Sequence, residues 1–251
     1  MSTANTSLII HGASGRMGAR LCAVAADDTR FTLVGAVARN GSPSIGSLAA
    51  APKTSASAVK ITPSCDQHAD VVIDFSSDEG ARHALSIALN INAAILVGTT
   101  ALSELTVAAL AEASQKIPVL IAPNTSLGIP VLARAAADVA RALGNSFDVS
   151  IVEAHHIRKK DAPSGTALRL ASAVPDAGAT LPPDQILAIR GGDVIGEHTI
   201  RFAGNGEYIE LTHRATSRDV FVHGALHAAA WLREQRPGRY TIEDVLGFSR
   251  T

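Results

Sequence analysis

Leu8-Ile9-Ile10-His11-Gly12-Ala13-Ser14-Gly15-Arg16-Met17-Gly18 is a short apolar run that stops in a glycine-rich turn and passes at once into a helical pattern. Glycines at 12, 15 and 18 let backbone N–H groups approach a pyrophosphate, and the N-terminal end of the following helix favours its negative charge. The spacing is GxxGxxG rather than the more familiar GxGxxG. A lone glycine triad is a weak signal; its place between a first strand and a first helix gives it weight. The competing reading of the same residues is a flexible turn.

Outward from this loop, short runs rich in β-branched residues alternate with Ala-rich helical patterns. The strand candidates are residues 8–10, 31–37, 71–75, 94–97 and 119–122, and helical patterns occupy 16–26, 79–90 and 103–114. The strands show little polar alternation, as expected of parallel strands buried on both faces. A β-α repeat of this kind implies right-handed crossovers and a Rossmann-like, doubly wound parallel sheet of the α/β class. Residues 41–64, rich in Ser, Ala, Gly and Pro, read as an irregular excursion.

The pattern changes after about residue 125. A helix is expected over 129–143, with Val131, Leu132, Ala135, Val139 and Leu143 apolar, then a strand over 148–154 and a helix from Ser164 to about Val174. Residues 186–190, 197–203 and 207–213 read as strands, and Gly204-Asn205-Gly206 is a hairpin signal between the last two. Ile200 and Phe202 flank Arg201, and Ile209 and Leu211 flank Glu210; one face of this sheet is dry and the other polar. A final helix is expected over about 218–233. The division is a dinucleotide-binding domain over 1–126, to which 234–251 returns, and a second α+β domain with an open mixed sheet over 127–233, for substrate binding and oligomerisation.

Composition narrows the function. The chain has 251 residues, 47% of them apolar, enough for one large or two small cores. Its net charge of -1 gives no whole-chain footprint for nucleic acid. Cys22 and Cys65 have neither a CxxC partner nor a metal-ligand spacing, so a reduced, cytoplasmic chain without a metal is expected. The polar start, residues 1–7, lacks the charged and apolar regions of a signal peptide, and no apolar run approaches the roughly 20 residues that span a bilayer.

The second strand reports on the nucleotide. NAD-preferring folds place an acid at its end to bind the ribose hydroxyls. Here the strand ends Ala38-Arg39-Asn40, so the acid is missing and a cation is present. Arg39 can pair with a 2′-phosphate and Arg16 can add charge to the same region; NADPH is the expected cofactor, with NADH as a second donor. Gly98-Thr99-Thr100 and Ala122-Pro123-Asn124-Thr125 each follow a buried strand, at the edge where such sheets bind ligands. Singly, either is equally an ordinary turn.

The densest chemistry lies in Glu153-Ala154-His155-His156-Ile157-Arg158-Lys159-Lys160-Asp161-Ala162-Pro163-Ser164-Gly165-Thr166. Three adjacent cations are usually a solvated loop. Here they follow two histidines at a strand end and precede a helix start. Adjacent residues of a strand point to opposite faces, so the two histidines have different jobs and joint metal ligation is disfavoured. Ser164 or Thr166 can cap the helix. The first-turn N–H groups of Gly165 and Thr166 can also hold a carboxylate, to which glycine permits close approach. Histidine titrates near neutrality. Together these groups suit a small dicarboxylate and a reaction that needs a proton.

The pattern Glu153-Ala154-His155-His156-x-x-Lys159-x-Asp161-x-Pro163-Ser164-Gly165-Thr166-Ala167 resembles the signature of the 4-hydroxy-tetrahydrodipicolinate (dihydrodipicolinate) reductase family. Gly12-x-x-Gly15-Arg16-Met17-Gly18, Val97-Gly98-Thr99-Thr100, Asn124-x-Ser126-x-Gly128, Gly196-Glu197-His198-Thr199 and Gly224-Ala225 through Trp231-Leu232 resemble its other motifs, in order, over nearly the whole chain. The resemblance implies reduction, with loss of water, of a cyclic hydroxylated imine dicarboxylate on the way to diaminopimelate and lysine. It implies His155 as proton donor or acceptor, Lys159 as a second proton donor, His156 as substrate-binding, and Gly165 and Thr166 as a carboxylate cradle. Gly12, Ala13, Ser14, Gly15, Arg16 and Met17, with Gly98 to Thr100 and Ala122 to Thr125, would bind the dinucleotide. It also implies a homotetramer whose second domains join their sheets. The chain departs from the family at Ala38, where some members carry an acid, and at His223 and His227, where many carry Arg. Another amino-acid-pathway dehydrogenase and a redox-silent NADPH-binding protein are the alternatives; the His-His-x-x-Lys segment argues against the first.

Overall fold

The computed structural model describes residues 5–51, 58–175 and 178–248. Residues 1–4 of the polar start, 52–57 of the Ser/Ala-rich excursion and 249–251 of the expected return lie outside the described residues.

The chain begins with β1 (Thr6–His11), α1 (Arg16–Asp27), β2 (Phe31–Val37), β3 (Ile61–Thr62), β4 (Val71–Asp74), α2 (Asp78–Asn90), β5 (Ala94–Val97), α3 (Glu104–Ala113) and β6 (Pro118–Ile121). It continues through α4 (Gly128–Leu143), β7 (Asp148–His155), α5 (Gly165–Ala173), β8 (Ile186–Arg190), β9 (Glu197–Gly204) and β10 (Glu207–Arg214). It closes with α6 (Asp219–Leu232), β11 (Gly238–Tyr240) and α7 (Ile242–Val245). Packing divides it into two compact units, one reaching to Thr125 and resuming at Phe221, the other Ser126–Val220.

In the first unit seven strands lie in the order β11-β6-β5-β4-β1-β2-β3, and every neighbouring pair is parallel. The central strands are buried on both faces, as the sequence indicates: all four residues of β4 and of β5 are buried. Alanines 81, 84 and 88 of α2, with Leu110 and Ala113 of α3, pack on Val72, Ile95, Val97 and Val119. Ser77 and Ser103 start these two helices by accepting the N–H of Gly80 and of Thr106. The 41–64 excursion differs from expectation at its end, where Ile61 and Thr62 pair with Ala36 and Val37 and extend the sheet.

The register places the site. His11 pairs with Val37 on one side and with Asp74 on the other, Asp74 with Val97, and Val97 with Ile121. The loops after β1, β2, β4, β5 and β6 therefore leave the sheet from one row. The order reverses at β1, whose neighbours are β2 and β4, the kind of switch point at which open α/β sheets bind ligands.

The second unit is a four-stranded sheet in the order β10-β9-β7-β8, with β7 and β8 parallel and the other pairs antiparallel. Helices α4 and α5 cover one face, where Leu132, Ala136, Ala140, Ala167 and Leu170 meet Val149, Ile151, Ile200 and Phe202. The buried stripe of α4 is thus 132-136-140, and Val131 is exposed. The opposite face carries Val152, Leu187, Ile189 and Tyr208, all exposed.

The sequence boundaries at 126/127 and 233/234 and the packing division differ over α6. Thr125 Oγ1 donates to the Phe221 carbonyl at 2.6 Å, Arg233 Nη1 donates to Thr6 Oγ1 at 3.1 Å, and Trp231 packs edge-on against Tyr240. These contacts place the helix from Phe221 onward with the first unit.

Candidate active site

Strand alternation builds the second unit's site. Along β7 the residues Val149, Ile151, Glu153 and His155 point to the helix-covered face. The last two are therefore neighbours on that face, two residues apart. Glu153 is completely buried and accepts four hydrogen bonds: His155 Nδ1 at 2.5 Å, the Ser164 N–H at 3.0 Å, and Arg190 Nη1 and Nη2 at 2.8 and 2.7 Å. Burial pushes the Glu153 carboxyl up, but these partners outweigh it and hold it below the usual range. A carboxylate only accepts, so the His155 proton sits on Nδ1. Its Nε2 faces Gly196, where a Cβ would stand 3.1 Å away, and takes no hydrogen bond among the described residues. His155 therefore has one nitrogen locked and one available for proton transfer.

His156 leaves the strand direction. Its Nδ1 is buried without a hydrogen-bond partner among the described residues, and that burial, with the nearby charges of Arg158 and Arg218, lowers its pKa. The cation loop is tied down at its backbone: Gly191 N–H donates to the His155 carbonyl, Ile157 N–H to Gly192, and Arg190 Nη2 to the Asp161 carbonyl. Arg158 points outward to Asp193 at 2.7 Å, and Lys160 is exposed. Lys159 is the cation that turns toward the helix start, its Nζ 2.7 Å from Asp161 Oδ2. That hydrogen bond holds the Asp161 carboxyl below the usual range, and the backbone N–H of Gly165 contributes.

Helix α5 begins there. Ser164 is its N-cap and accepts the Ala167 N–H at 3.2 Å, so the cap belongs to Ser164 and not to Thr166. Gly165 and Thr166 are the first two helical residues, and open space lies where a Gly165 side chain would be. Glu153 thus links the imidazole of His155 to the first turn of α5 through one carboxylate.

Two further histidines continue the cluster. His198 packs edge-on against His155 at 5.2 Å, and its Nε2 lies 3.4 Å from Ser164 Oγ. Burial, then the charge of His155, pushes its pKa down to about 4. His213 Nε2 lies 3.3 Å from Ser126 Oγ, and burial lowers its pKa as well. His198 is therefore neutral at physiological pH and adds a polar wall, not a charge.

In the first unit, the turn after β1 is built to approach an anion. Gly12 adopts φ +80, and a Cβ there would stand 2.5 Å from the Phe75 carbonyl oxygen. A Cβ on Gly18 would collide with the Gly12 carbonyl. The Gly12 and Ala13 N–H groups donate to Val37, so those two amides are spoken for and shape the turn. Gly15 is the N-cap of α1 and offers no side-chain cap to the first helical amides, those of Arg16 and Met17. These residues fit a dinucleotide pyrophosphate. Arg16 and Arg39 are exposed and form no ion pair among the described residues. Ala38 is buried. Gly98 to Thr100 and Ala122 to Thr125 follow β5 and β6 in the same row of strand ends. Two hydroxyls in them serve the protein itself: Thr99 donates to Asp74 and Thr125 to Phe221. His223 and His227 lie one helical turn apart on the exposed side of α6.

The cofactor candidates gather in the first unit and the proton-transfer candidates in the second. Sequence reasoning assigned no role to Glu153, Arg190 or His198. Glu153-x-His155 on a strand carried the signal for the first, because residues two apart share a face. Arg190 reaches Glu153 only because β8 pairs with β7 in parallel, with Arg190 opposite His155; nothing local announces that.

Residues 6–125 match the family described as "Dihydrodipicolinate reductase, N-terminus" and residues 128–246 that described as "Dihydrodipicolinate reductase, C-terminus". The chain is 44% identical to the 4-hydroxy-tetrahydrodipicolinate reductase of Myxococcus xanthus (strain DK1622), covering 97% of this chain and 98% of that protein. It is 42% identical to the protein of that name from Xanthomonas campestris pv. campestris (strain B100), covering 98% and 100%. Among solved structures, a dipicolinate-bound dihydrodipicolinate reductase from Paenisporosarcina sp. TG-14 shares the fold with a TM-score of 0.73 at 21% identity, over 94% of this chain and 97% of that one. With both halves matched and relatives similar from end to end, the chain belongs to the dihydrodipicolinate reductase family.

Proposed function

We infer that this chain reduces 4-hydroxy-tetrahydrodipicolinate, with loss of water, to tetrahydrodipicolinate, the step for which its relatives are named, in the route to diaminopimelate and lysine. The observation that carries the reading is the Asp161 carboxylate, which lies against Lys159 Nζ and is felt by the Gly165 N–H at the start of α5. An internal carboxylate already occupies Lys159, a donor that a substrate carboxylate needs. An exposed ion pair of this kind is worth only about 0–1 kcal/mol, so a dicarboxylate displaces it at little cost.

Lys159, the Gly165 and Thr166 amides and His156 bind and orient the substrate. His155 moves the proton at its Nε2, with Glu153 holding Nδ1, and Lys159 is the second proton donor. The amides of the first turn of α1, with Gly12 to Met17, hold the pyrophosphate, and Gly98 to Thr100 and Ala122 to Thr125 hold the nicotinamide half. The reduced nicotinamide supplies the hydride when bound. The test is a coupled assay in which a synthase supplies the labile substrate and loss of NADPH absorbance is followed. A chain that binds NADPH but never oxidises it there would be redox-silent, and the reading would fail.

NADPH is the preferred donor in this proposal, with NADH usable. Arg39 and Arg16, which form no ion pair among the described residues, and a second strand that ends without an acid suit a 2′-phosphate. Replacing Arg39 with alanine is expected to raise KM for NADPH about tenfold, the weight of one charge-assisted contact, and to leave KM for NADH nearly unchanged. A parent enzyme that strongly prefers NADH would overturn this.

The working form is a homotetramer in which the open face of the second unit's sheet is covered by other copies of the chain. Val152, Leu187, Ile189 and Tyr208 are exposed on that face, an apolar patch of the kind that marks an interface. Sedimentation of the parent and of a Leu187→Glu/Ile189→Glu variant decides it: a tetramer that falls apart in the variant is expected, and a monomeric parent refutes it.

A further inference from the structure

Asp74 is the last residue of β4, and its side chain is completely buried. The three residues before it, Val71, Val72 and Ile73, are apolar, as a doubly covered parallel strand requires. A carboxylate in that position is costly unless it is fully hydrogen-bonded. Its oxygens take three side chains from three different segments. Oδ1 accepts His11 Nδ1 at 2.8 Å, from the end of β1, and Ser76 Oγ at 2.5 Å, from the turn before α2. Oδ2 accepts Thr99 Oγ1 at 2.6 Å, from the loop after β5. Since the carboxylate can only accept, all three groups point their protons at it. The Thr99 oxygen is then free to accept the Ser76 N–H at 2.7 Å. His11 carries its proton on Nδ1, and its Nε2 lies 3.2 Å from Nδ1 of His83 on α2.

None of these contacts touches His155, Glu153 or Lys159. What they join is specific: the residue that leads into the glycine loop and the middle residue of Gly98-Thr99-Thr100. We propose that Asp74 and His11 are positioning residues for the dinucleotide, the buried carboxylate fixing the glycine loop and the loop after β5 relative to each other. This rests on the reading of those two loops as the cofactor site. A site held only at its surface ring of contacts tolerates small displacements; a shared buried acceptor beneath two loops fixes both at once, as supporting residues behind a binding site do.

The test uses the full chain and three variants, Asp74→Asn, His11→Leu and His11→Asn. NADPH affinity is measured by fluorescence titration. Dipicolinate affinity is measured by calorimetry at saturating NADPH, and folding by thermal melting. In Asp74→Asn one oxygen becomes an NH2 group facing hydrogen-bond donors, and His11→Leu removes one donor. Each is expected to weaken NADPH binding about tenfold or more, with dipicolinate affinity within about twofold of the parent. His11→Asn places an amide nitrogen where Nδ1 was and is expected to recover most of the loss. Should Asp74→Asn fail to fold, the contrast between the two His11 variants still decides. Parent-like NADPH affinity in His11→Leu overturns the proposal. So does a parallel loss of NADPH and dipicolinate affinity together with a lower Tm, which marks general loosening. A parent that binds no NADPH would instead sink the cofactor reading of the two loops.

Discussion

Replacing His155 and Lys159 together by alanine is expected to lower kcat by about 10³- to 10⁴-fold while the Kd for NADPH stays within about twofold, because proton transfer by positioned groups contributes rate and not cofactor affinity. The structure gives each residue a separate task. His155 has its Nδ1 fixed by Glu153 and presents Nε2 beside Gly196. Lys159 stands at the start of α5 against a carboxylate. The single variants separate those tasks: His155→Ala lowers kcat most, whereas Lys159→Ala also raises KM for the substrate, since Lys159 binds the anion as well. The measurement is steady-state kinetics in the coupled assay beside a fluorescence titration of NADPH. Turnover in the double variant equal to that of the parent would refute the assignment.

Glu153→Gln is expected to be nearly as damaging, although Glu153 touches no substrate in the proposed mechanism. The carboxylate takes His155, Ser164 and both terminal nitrogens of Arg190. An amide offers one acceptor oxygen in place of two and sets an NH2 group against Arg190. That leaves a largely buried guanidinium without its counter-charge, a loss of several kcal/mol in pairs of this kind, so Tm falls. The kinetic signature is more telling. Without the carboxylate the imidazole loses the acceptor that holds its Nδ1 proton. kcat falls about 10²-fold, because the ring loses its fixed tautomer. A kcat equal to the parent's, with a lower Tm, would show that Glu153 braces the fold and does not orient the histidine.

These two predictions mark how far the sequence could be read. β-branched runs separated by Ala-rich helical patterns suffice for a parallel sheet, since strands buried on both faces cannot alternate. The runs at 31–37 and 94–97 coincide with β2 and β5. The helix start at Ser164 was legible because an N-cap is a local hydrogen bond. The α4 stripe shifts by one residue because Val131 and Leu132 are equally apolar in sequence, and only packing against β7 and β9 selects Leu132, Ala136 and Ala140. The pairing of Ile61 with Ala36 was hidden in a segment whose composition spells only loop.

The sequence by itself determined the class of fold, the place of the glycine loop and the crowding of histidines and cations ahead of α5, because each of these is written in spacing along a few neighbouring residues. The tertiary structure alone decided which residues stand behind them. Arg190 comes to Glu153 from 37 residues away, and Thr99 and His11 meet on Asp74 across two strand pairs. Such meetings depend on strand order and register. Those are set by burial of the whole sheet, and no local spacing encodes them.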